Sequence, residues 1–339
     1  MVQLFNQNTD ASSNGPFVPW QAEELSDALT NQTADLRFDW RNELPVLIIN
    51  EAHKLSESSA KSLRNLAVVL IGLSGNNDAS SYVDIVADSE EELTTLLECI
   101  SLNPIASVTC CQVLRHNENI STDLGLLLES VAYGTLQNGT EFKKWLDGRG
   151  RRVRPEETSP TILVNAETEH VELQLNRPKL KNAFSASMRD SLVEALRGLA
   201  TEGDNRSILI TGKGSTFCIG GDPAEFGTVE DSATGHMIRS IANAAPWLNL
   251  LSERITVRVR GAAIGAGVEL AAFASRVEAS KDAWFSLPEV SMGLIPGAGG
   301  TVSISRRIGR RLTARMCMTG ERVDATTALE WGLVDALVE

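Results

Sequence analysis

Three glycine-rich loops, each following a predicted strand, divide the second half of the chain. They are "FCIGGD" (217–222), "GAAIGAGVE" (261–269) and "PEVSMGLIPGAGGT" (288–301). Glycine lets the backbone bend sharply or approach another group closely, and the start of a helix leaves amide N–H groups without partners. The pattern predicts strand–loop–helix units whose loops either stabilise the fold or bind a ligand.

Strands and helices alternate around these loops. The run "HVELQL" (170–175) has the period of a strand, and "SMRDSLVEALRGLA" (187–200) has the period of a helix. Further strands are predicted at 207–211, 255–261 and 283–287, and further helices at 234–253, at 266–275 and from 300 onward. This alternation predicts an α/β domain.

The first half is predicted to form a smaller α/β unit. Its strands are predicted at 44–50 and 81–88, its helices from 56 and at 89–104 and 121–150, while 106–115 fits either a buried strand or a short helix. The charged, proline-bearing run at 149–160 is typical of a linker. The predicted organisation is a polar N-terminal segment (1–35), an N-terminal α/β domain (36–150), a linker (151–160) and a second domain (161–339).

The two halves follow a similar order of strands and helices. In that comparison, residues 96–114 of the first half correspond to residues 250–268 of the second half. The first half therefore also fits a degenerate repeat of the second, although it lacks the glycine-rich loops.

Composition excludes several classes of protein. The formal net charge of −13 argues against a nucleic-acid partner. The basic runs at 149–154 and 305–311 are interpreted as solvated faces, the alternative being a contact with the phosphate of an anionic cofactor. Five cysteines form no C-x-x-C pair and no zinc-type spacing, which favours a reducing compartment and no metal site. Without a secretory signal or membrane span, we expect a cytoplasmic protein.

Neither common phosphate-binding loop is present. The run "TGKGST" (211–216) lacks the glycine that a P-loop requires before Gly-Lys. The run "GAGVEL" (265–270) has no third glycine, so it is not a dinucleotide-binding fingerprint. A nucleotide-binding fold is therefore disfavoured.

Two carboxylates stand in apolar, glycine-bordered turns. Glu269 opens the apolar helix "AGVELAAFA", and Glu289 follows Pro288. Either acid could simply satisfy nearby backbone amides. Burial would instead raise a carboxyl pKa and suit it to proton transfer near neutrality.

Residues from about 160 to 339 resemble the enoyl-CoA hydratase/isomerase (crotonase) superfamily. Five stretches carry the resemblance, in order: "VELQLNRPKLKNAFS", "STFCIGGDPAEFG", "VRGAAIGAGVELAAFASRVEAS", "FSLPEVSMGLIPGAGGT" and "GERVDATTALEWGLVDALVE". The resemblance implies a crotonase-like ββα spiral domain and an enzyme acting on acyl-CoA. It implies no cofactor beyond the coenzyme A that is part of the substrate.

The resemblance also assigns site residues. It implies an oxyanion hole built from the backbone N–H groups of Gly221 and Ala266, where the family usually has glycine at the second position. It implies Glu269 and Glu289 as the two glutamates that family hydratases place around a water. Substrate or CoA contacts are implied for Lys179, Gly220, Asp222 and Gly297, with Asp222 expected to brace its loop.

The predicted function is an enoyl-CoA hydratase that adds water to a 2-enoyl-CoA. The alternatives are isomerisation, hydrolysis or decarboxylation of another CoA thioester, or a catalytically idle scaffold that serves in binding or assembly. Family members usually continue beyond the last matched stretch with helices that cover the acyl pocket and complete a trimer. Here the first half is expected to take that place, and we expect a homo-oligomer through it, without membrane or nucleic-acid partners.

Overall fold

The computed structural model of the protein describes residues 2–3, 18–31, 34–35, 43–73, 82–150, 153, 157–201 and 203–339. Its first half contains strands β1 (Val2–Gln3), β2 (Trp20–Gln21), β3 (Ala34–Asp35), β4 (Val46–Asn50), β5 (Val69–Leu73) and β6 (Ile85–Ala87). Its helices are α1 (Ala22–Thr30), α2 (Glu57–Arg64), α3 (Glu90–Leu102), α4 (Pro104–Asn117), α5 (Thr122–Gln137) and α6 (Thr140–Arg149). The main sheet here is parallel, with strand order β2-β4-β5-β6.

Strands β4 and β5 are apolar on both faces because each face is covered. Successive side chains of β4 lie on opposite faces of the sheet: Val46 and Ile48 belong to one hydrophobic cluster, and Leu47 and Ile49 belong to a second. The second cluster lies under α1, which buries Leu25 completely. The first continues into the second half of the chain. Burial on both faces explains why these strands read as continuous apolar runs.

Helices begin where they were predicted in the first half, and their caps follow the sequence. The segment predicted over 56–75 is helical only over Glu57–Arg64 and then forms strand β5, and the helix predicted at 121–150 is divided into α5 and α6. The hydroxyls of Ser56, Ser89 and Ser121 accept the N–H of the residue three positions on, at the starts of α2, α3 and α5. Residues 106–115 form part of helix α4, so the strand alternative was wrong. Proline at the start of α4 favours the helix because its missing N–H would have had no partner there.

The internal repeat is matched in one part and contradicted in another. The order β4–α2–β5, with its parallel strand pair, has the same form as β8–α7–β9 in the second half. The equivalence of 96–114 with 250–268 was wrong, because 96–114 is helical and 250–268 contains two strands. The degenerate-repeat hypothesis stays a prediction for the first strand–helix–strand unit.

The second half has strands β7 (Ile162–Ala166), β8 (His170–Leu175), β9 (Ser207–Gly212), β10 (Ile255–Val259), β11 (Ala262–Ile264), β12 (Arg276–Ser280), β13 (Trp284–Ser286), β14 (Val323–Asp324) and β15 (Ala336–Val338). Its helices are α7 (Ala186–Leu199), α8 (Ser232–Ile241), α9 (Ala245–Leu250), α10 (Ala266–Ala271), α11 (Gly300–Thr319) and α12 (Ala325–Trp331). The helix predicted at 234–253 is divided between α8 and α9.

Consecutive strands alternate between two sheets. Strands β10 and β12 lie in a six-stranded sheet of order β15-β12-β10-β9-β8-β7, and β11 and β13 lie in a small sheet of order β11-β13-β14. Strands β10 and β12 are therefore each followed by a small-sheet strand and then a helical segment. Single bridges join Cys218 to Ala263 and Phe184 to Gly221. The first bridge attaches the "FCIGGD" loop to β11, shortly before α10, and the second attaches it to the segment before α7.

The two halves share one hydrophobic core. The cluster that contains Ile48 and Ile71 of the first half also contains Val302, Ile308 and Met316 of α11. Helix α4 packs along α11, and α5 packs against α8 and α9. The helices of the first half therefore cover the second half, as expected, while the predicted domain boundaries stay predictions.

The basic run at 305–311 is not simply a solvated face. Arg310 is 7% exposed and reaches across to the carbonyl of Val83 and to Asp84. Arg307 donates to backbone carbonyls at the ends of other elements and to Asp335. The solvated interpretation was wrong for these two residues, because Arg310 satisfies buried oxygens and Arg307 binds carbonyls of distant elements, partners that the sequence alone does not reveal.

Asp84 is expected to be a major contributor to stability. Its buried carboxylate pairs with Arg115 of α4 and Arg310 of α11. The substitution Asp84→Ala leaves the buried guanidinium of Arg115 without its anion and that of Arg310 with only Glu118, so the free energy of unfolding should fall by about 3–5 kcal/mol. Chemical denaturation measures this loss. Asp190→Ala, which breaks the exposed pair with Arg189, should cost less than about 1 kcal/mol, and an equal cost for both would contradict the prediction.

Among the described helices, none is long and apolar enough on its own to cross a membrane. The bent pair Glu90–Leu102 and Pro104–Asn117 is long and apolar enough only when its two helices are taken together.

Candidate active site

A cavity of about 720 Å³ lies where the loops of the second half meet α5, α6 and α8. Its volume is typical of a site for a small organic ligand. From the second half it is lined by the "FCIGGD" loop, the start of α10, the turn at Glu289 and the loop before α11. All three glycine-rich loops therefore reach one cavity.

Two backbone amides face this cavity without a hydrogen-bond acceptor. Gly221 and Ala266 both line it, and the N–H of neither donates to any residue in the described parts of the chain. Gly220 sits between them with φ of 87°, and a side chain at Gly220 would meet the carbonyl of Ile264 at 3.0 Å. Glycine is therefore needed there, because it allows the loop to approach α10 closely.

Asp222 braces the loop, as expected. Its carboxylate pairs with the buried guanidinium of Arg177 at 2.7 Å and accepts the N–H of Ala224 at 2.9 Å. Its own N–H donates to the carbonyl of Phe184. These bonds fix the residue that follows Gly221. The N–H of Phe184 donates to the Gly220 carbonyl at 2.8 Å, and because that carbonyl shares a peptide group with the Gly221 N–H, this bond sets the direction of the N–H.

Glu269 is a buried carboxylate held by the loop before α11. Its side chain is 2% exposed, and Oε2 accepts the N–H of Ala298 at 2.7 Å and of Gly300 at 2.9 Å. A side chain at Gly300 would meet Cγ of Glu269 at 2.5 Å, so glycine allows this approach. Burial raises the pKa of Glu269 to about 7, opposed by the backbone N–H groups that stabilise its anion.

Glu289 opens a short 3-10 turn (Glu289–Met292) and faces the same cavity. Its Oε2 is buried and has no hydrogen-bond partner among the described residues. Burial and the charge of Glu269 raise the pKa of Glu289 well above its usual value. Of the two acids, Glu289 is thus the one whose surroundings favour the protonated form at neutral pH.

The first half supplies four cavity residues that the sequence did not identify: Tyr133, Gln137, Trp145 and Arg149. Tyr133 lies against Gly297, where a side chain would meet its ring at 2.5 Å. Gly297 therefore lines the cavity as predicted, and its lack of a side chain makes room for Tyr133. The apolar character of "DLGLLLESVAYGTL" was the available signal, but it did not indicate which face would reach the site.

An aromatic cluster closes one side of the cavity. Trp145 stacks on Phe142 with ring centroids 5.8 Å apart and meets Phe226 edge-on at 5.6 Å. The guanidinium of Arg149 lies 4.7 Å from the Trp145 ring and donates to the carbonyl of Pro223 at 2.7 Å. Arg149 belongs to the basic run at 149–154, and it lines the site rather than a remote face.

Lys179 lies apart from the other site residues. It is exposed in a 3-10 turn (Pro178–Leu180) and is not among the residues that line the cavity. Its contact with coenzyme A stays a prediction. In the described parts of the chain, no three His, Cys, Asp or Glu side chains are grouped as a metal site would require.

The sequence profile of the enoyl-CoA hydratase/isomerase family matches residues 166–339. A 2,3-dehydroadipyl-CoA hydratase of Escherichia coli is 34% identical over 173 residues, which are 51% of this chain and 67% of that protein. The Bacillus subtilis protein YngF, named as an enoyl-CoA hydratase/isomerase, is 34% identical over 177 residues, 52% of this chain and 68% of that protein.

A crystal structure from Mycobacterium abscessus, named as an enoyl-CoA hydratase/isomerase, superimposes with a TM-score of 0.50. It is 27% identical and covers 52% of this chain and 70% of that chain. The crotonase-like fold predicted for the second half is thereby confirmed. The chain belongs to the enoyl-CoA hydratase/isomerase family.

Proposed function

We propose that this protein is an enoyl-CoA hydratase, which adds water across the double bond of a 2-enoyl-CoA. The observation that carries the proposal is the meeting of Glu269, Glu289 and the two unpaired amides of Gly221 and Ala266 at one cavity. A single acid would serve isomerisation or decarboxylation equally well. Addition of water requires one group to take a proton and another to give one.

The two amides are proposed to bind the thioester carbonyl oxygen. Attack on the double bond transfers electrons to that oxygen, so negative charge develops there in the enolate. Donors already directed at that position stabilise the charge without reorganising. They lie at the start of α10 and at a loop braced by Asp222 and Arg177.

The surroundings of the glutamates assign their roles. Glu269 is held as an anion by two N–H donors, so it is proposed to take a proton from water as the water oxygen bonds to the β-carbon. Glu289 has an orphan buried oxygen and a raised pKa, so it is proposed to give its proton to the α-carbon. Proton exchange with solvent then restores both groups. No resident cofactor is needed, because coenzyme A arrives with the substrate.

A turnover screen tests the proposal. The purified protein is incubated with 2-enoyl-CoAs of different length and branching, and products are identified by mass spectrometry. Hydration is expected to remove the absorbance of the conjugated enoyl group and to give a 3-hydroxyacyl-CoA. A shifted double bond, free coenzyme A or loss of carbon dioxide would instead assign one of the other family reactions. No turnover on any CoA ester would refute the enzyme proposal.

We further propose that the protein assembles as a homo-oligomer through its first half. An exposed apolar patch crosses α5, α8 and α9: Leu124, Leu127, Val131, Met237, Ile241 and Leu250. The residues on α5 are spaced three and four apart, so they form one stripe. Contiguous apolar surface on a soluble protein marks an interaction site, and closed homo-oligomers are the common outcome.

Two charges in this patch should prevent assembly. The double substitution Leu127→Glu and Val131→Glu is expected to give a smaller species by light scattering, because an apolar interface does not accommodate unpaired carboxylates. Val164→Glu, at an exposed position on β7, is the control and should leave the mass unchanged. A monomeric wild-type protein would refute the assembly proposal.

A further inference from the structure

A carboxylate from the first half binds the same loop that holds Glu269, through different amide groups. Glu129 of α5 is 2% exposed, and its Oε1 accepts the N–H of Gly299 at 2.7 Å. Its Oε2 accepts the N–H of Thr301 at 2.9 Å and the hydroxyl of Thr301 at 2.6 Å. Four successive amides thus alternate: those of Ala298 and Gly300 serve Glu269, and those of Gly299 and Thr301 serve Glu129.

Glycine is required at 299. Within 298–301, only Gly299 has a positive φ, of 107°, a conformation that favours glycine. A side chain at Gly299 would also meet the ring of Phe273 at 2.6 Å. If the amides of Gly299 and Thr301 had no acceptor, burial would make them costly. Glu129 satisfies both, and it thereby fixes the loop whose remaining amides hold Glu269.

The Glu129 carboxylate is also part of a buried chain of polar groups. Asn117 of α4 donates to the Thr301 hydroxyl at 2.9 Å, and that hydroxyl donates to Glu129. The first half therefore approaches the loop through two helices. An apolar side chain at 129 would cover the loop but would leave the amides of Gly299 and Thr301 without an acceptor.

Several charged groups act on Glu129. Glu269 from α10 and Glu289 from the 3-10 turn repel its anion. Arg239 from α8 attracts it and also lies over the ring of Tyr133. His236, also from α8, bonds to Ser130 beside it. Burial and the charge of Glu269 raise the pKa of Glu129 to about 8, so the two glutamates titrate as a coupled pair.

We propose that Glu129 is a positioning residue: it fixes the 298–301 loop, and through that loop the two amides that hold the Glu269 anion. The first half would then complete the catalytic arrangement as well as cover the cavity. For its catalytic consequence the inference rests on the proposed hydration. Its effect on Glu269 does not, because the protonation of Glu269 can be measured without turnover.

The direct test is an infrared titration of the buried carboxyl groups in the full-length protein. The band of Glu269 is obtained by subtraction, as the difference between Glu129→Gln and the double variant Glu129→Gln/Glu269→Gln. Glutamine keeps the volume and one acceptor oxygen, but its amide group cannot accept the second N–H, so the loop is held less firmly. The midpoint of Glu269 should move to higher pH by about one unit relative to the wild-type protein, because its anion loses well-placed donors. An unchanged midpoint in a folded variant would overturn the inference.

Turnover supplies the second readout. Glu129→Gln is expected to lower kcat about 10- to 100-fold, to leave KM within about twofold as a substitution away from the substrate would, and to move the acid limb of the pH profile to higher pH. Glu141→Gln is the matched control. Glu141 is also in the first half and also accepts two amides at a helix start, those of Ile105 and Ala106. It should leave kcat and the pH profile unchanged.

Thr301→Val covers the case in which Glu129→Gln does not fold, as judged by thermal melting. It removes the hydroxyl that donates to Glu129 and accepts from Asn117, so the midpoint of Glu129 should rise, and that of Glu269 should rise with the loosened loop. If neither midpoint moves, the inference is wrong. A wild-type protein that hydrates no substrate would refute the proposed function alone, since the titration result would still stand or fall by itself.

Discussion

Replacing either Glu269 or Glu289 by glutamine is expected to lower turnover on a 2-enoyl-CoA by about 10²–10⁴-fold. Glutamine keeps the volume of the side chain but neither takes up nor gives up a proton. The affinity for the CoA ester should stay nearly unchanged, because neither carboxylate is needed to bind the thioester oxygen. Steady-state kinetics together with binding of a non-reactive acyl-CoA separate the two effects.

The pH dependence of the wild-type enzyme should carry the same information. Glu269 must be ionised to take a proton, so kcat/KM should rise with pH through about 7, the raised pKa of its carboxyl group. Glu289 must be protonated, and its raised pKa keeps it so until a higher pH, above which the rate should fall. Glu269→Gln should remove the acid limb from the residual activity. Wild-type rates in both glutamine variants would mean that the two-carboxylate mechanism is wrong.

The sequence predicted the parts of this site whose signals are local. A strand followed by two glycines and an acid places the Gly221 amide at a turn, and Asp222 supports that turn whatever lies around it. The position of Glu269 in the first turn of an apolar helix likewise predicts burial near unpaired amides. Such features depend on a few neighbouring residues, which a single sequence contains.

The contribution of the first half was not local and could not be derived in this way. Glu129 lies within an apolar stretch of α5 and contacts a loop 170 positions further along the chain. Its spacing in the sequence equally fits an ordinary surface acid. Tyr133 is similar, because only the packing of α5 on α8 and α9 brings its ring to Gly297. Helical periodicity predicts that a face is covered, but it does not identify the covering residue's partner.

Gly221→Pro is expected to lower turnover by roughly 10²–10³-fold, equivalent to about 2.7–4 kcal/mol of barrier for one oxyanion donor. Proline removes the backbone N–H, which side-chain deletion leaves in place. In this fold the Gly221 N–H donates to no described residue, so proline breaks no hydrogen bond on which the loop depends. The measurement is kcat on a 2-enoyl-CoA, accompanied by the thermal melting transition.

Two matched substitutions separate the N–H from the rest of the loop. Gly221→Ala keeps the amide and adds a methyl group 3.2 Å from the ring of Phe226, a movable neighbour, so its loss of turnover should be far smaller. Ala266→Gly keeps the second donor and removes a methyl group beside the thioester, so the chemical step should be retained and bulkier acyl groups accepted. If the proline variant melts like the wild type and keeps full turnover, the loop is only a structural turn and the proposed role of Gly221 is wrong. The half-buried amide of Gly221 would then be a donor that faces the cavity without serving the reaction.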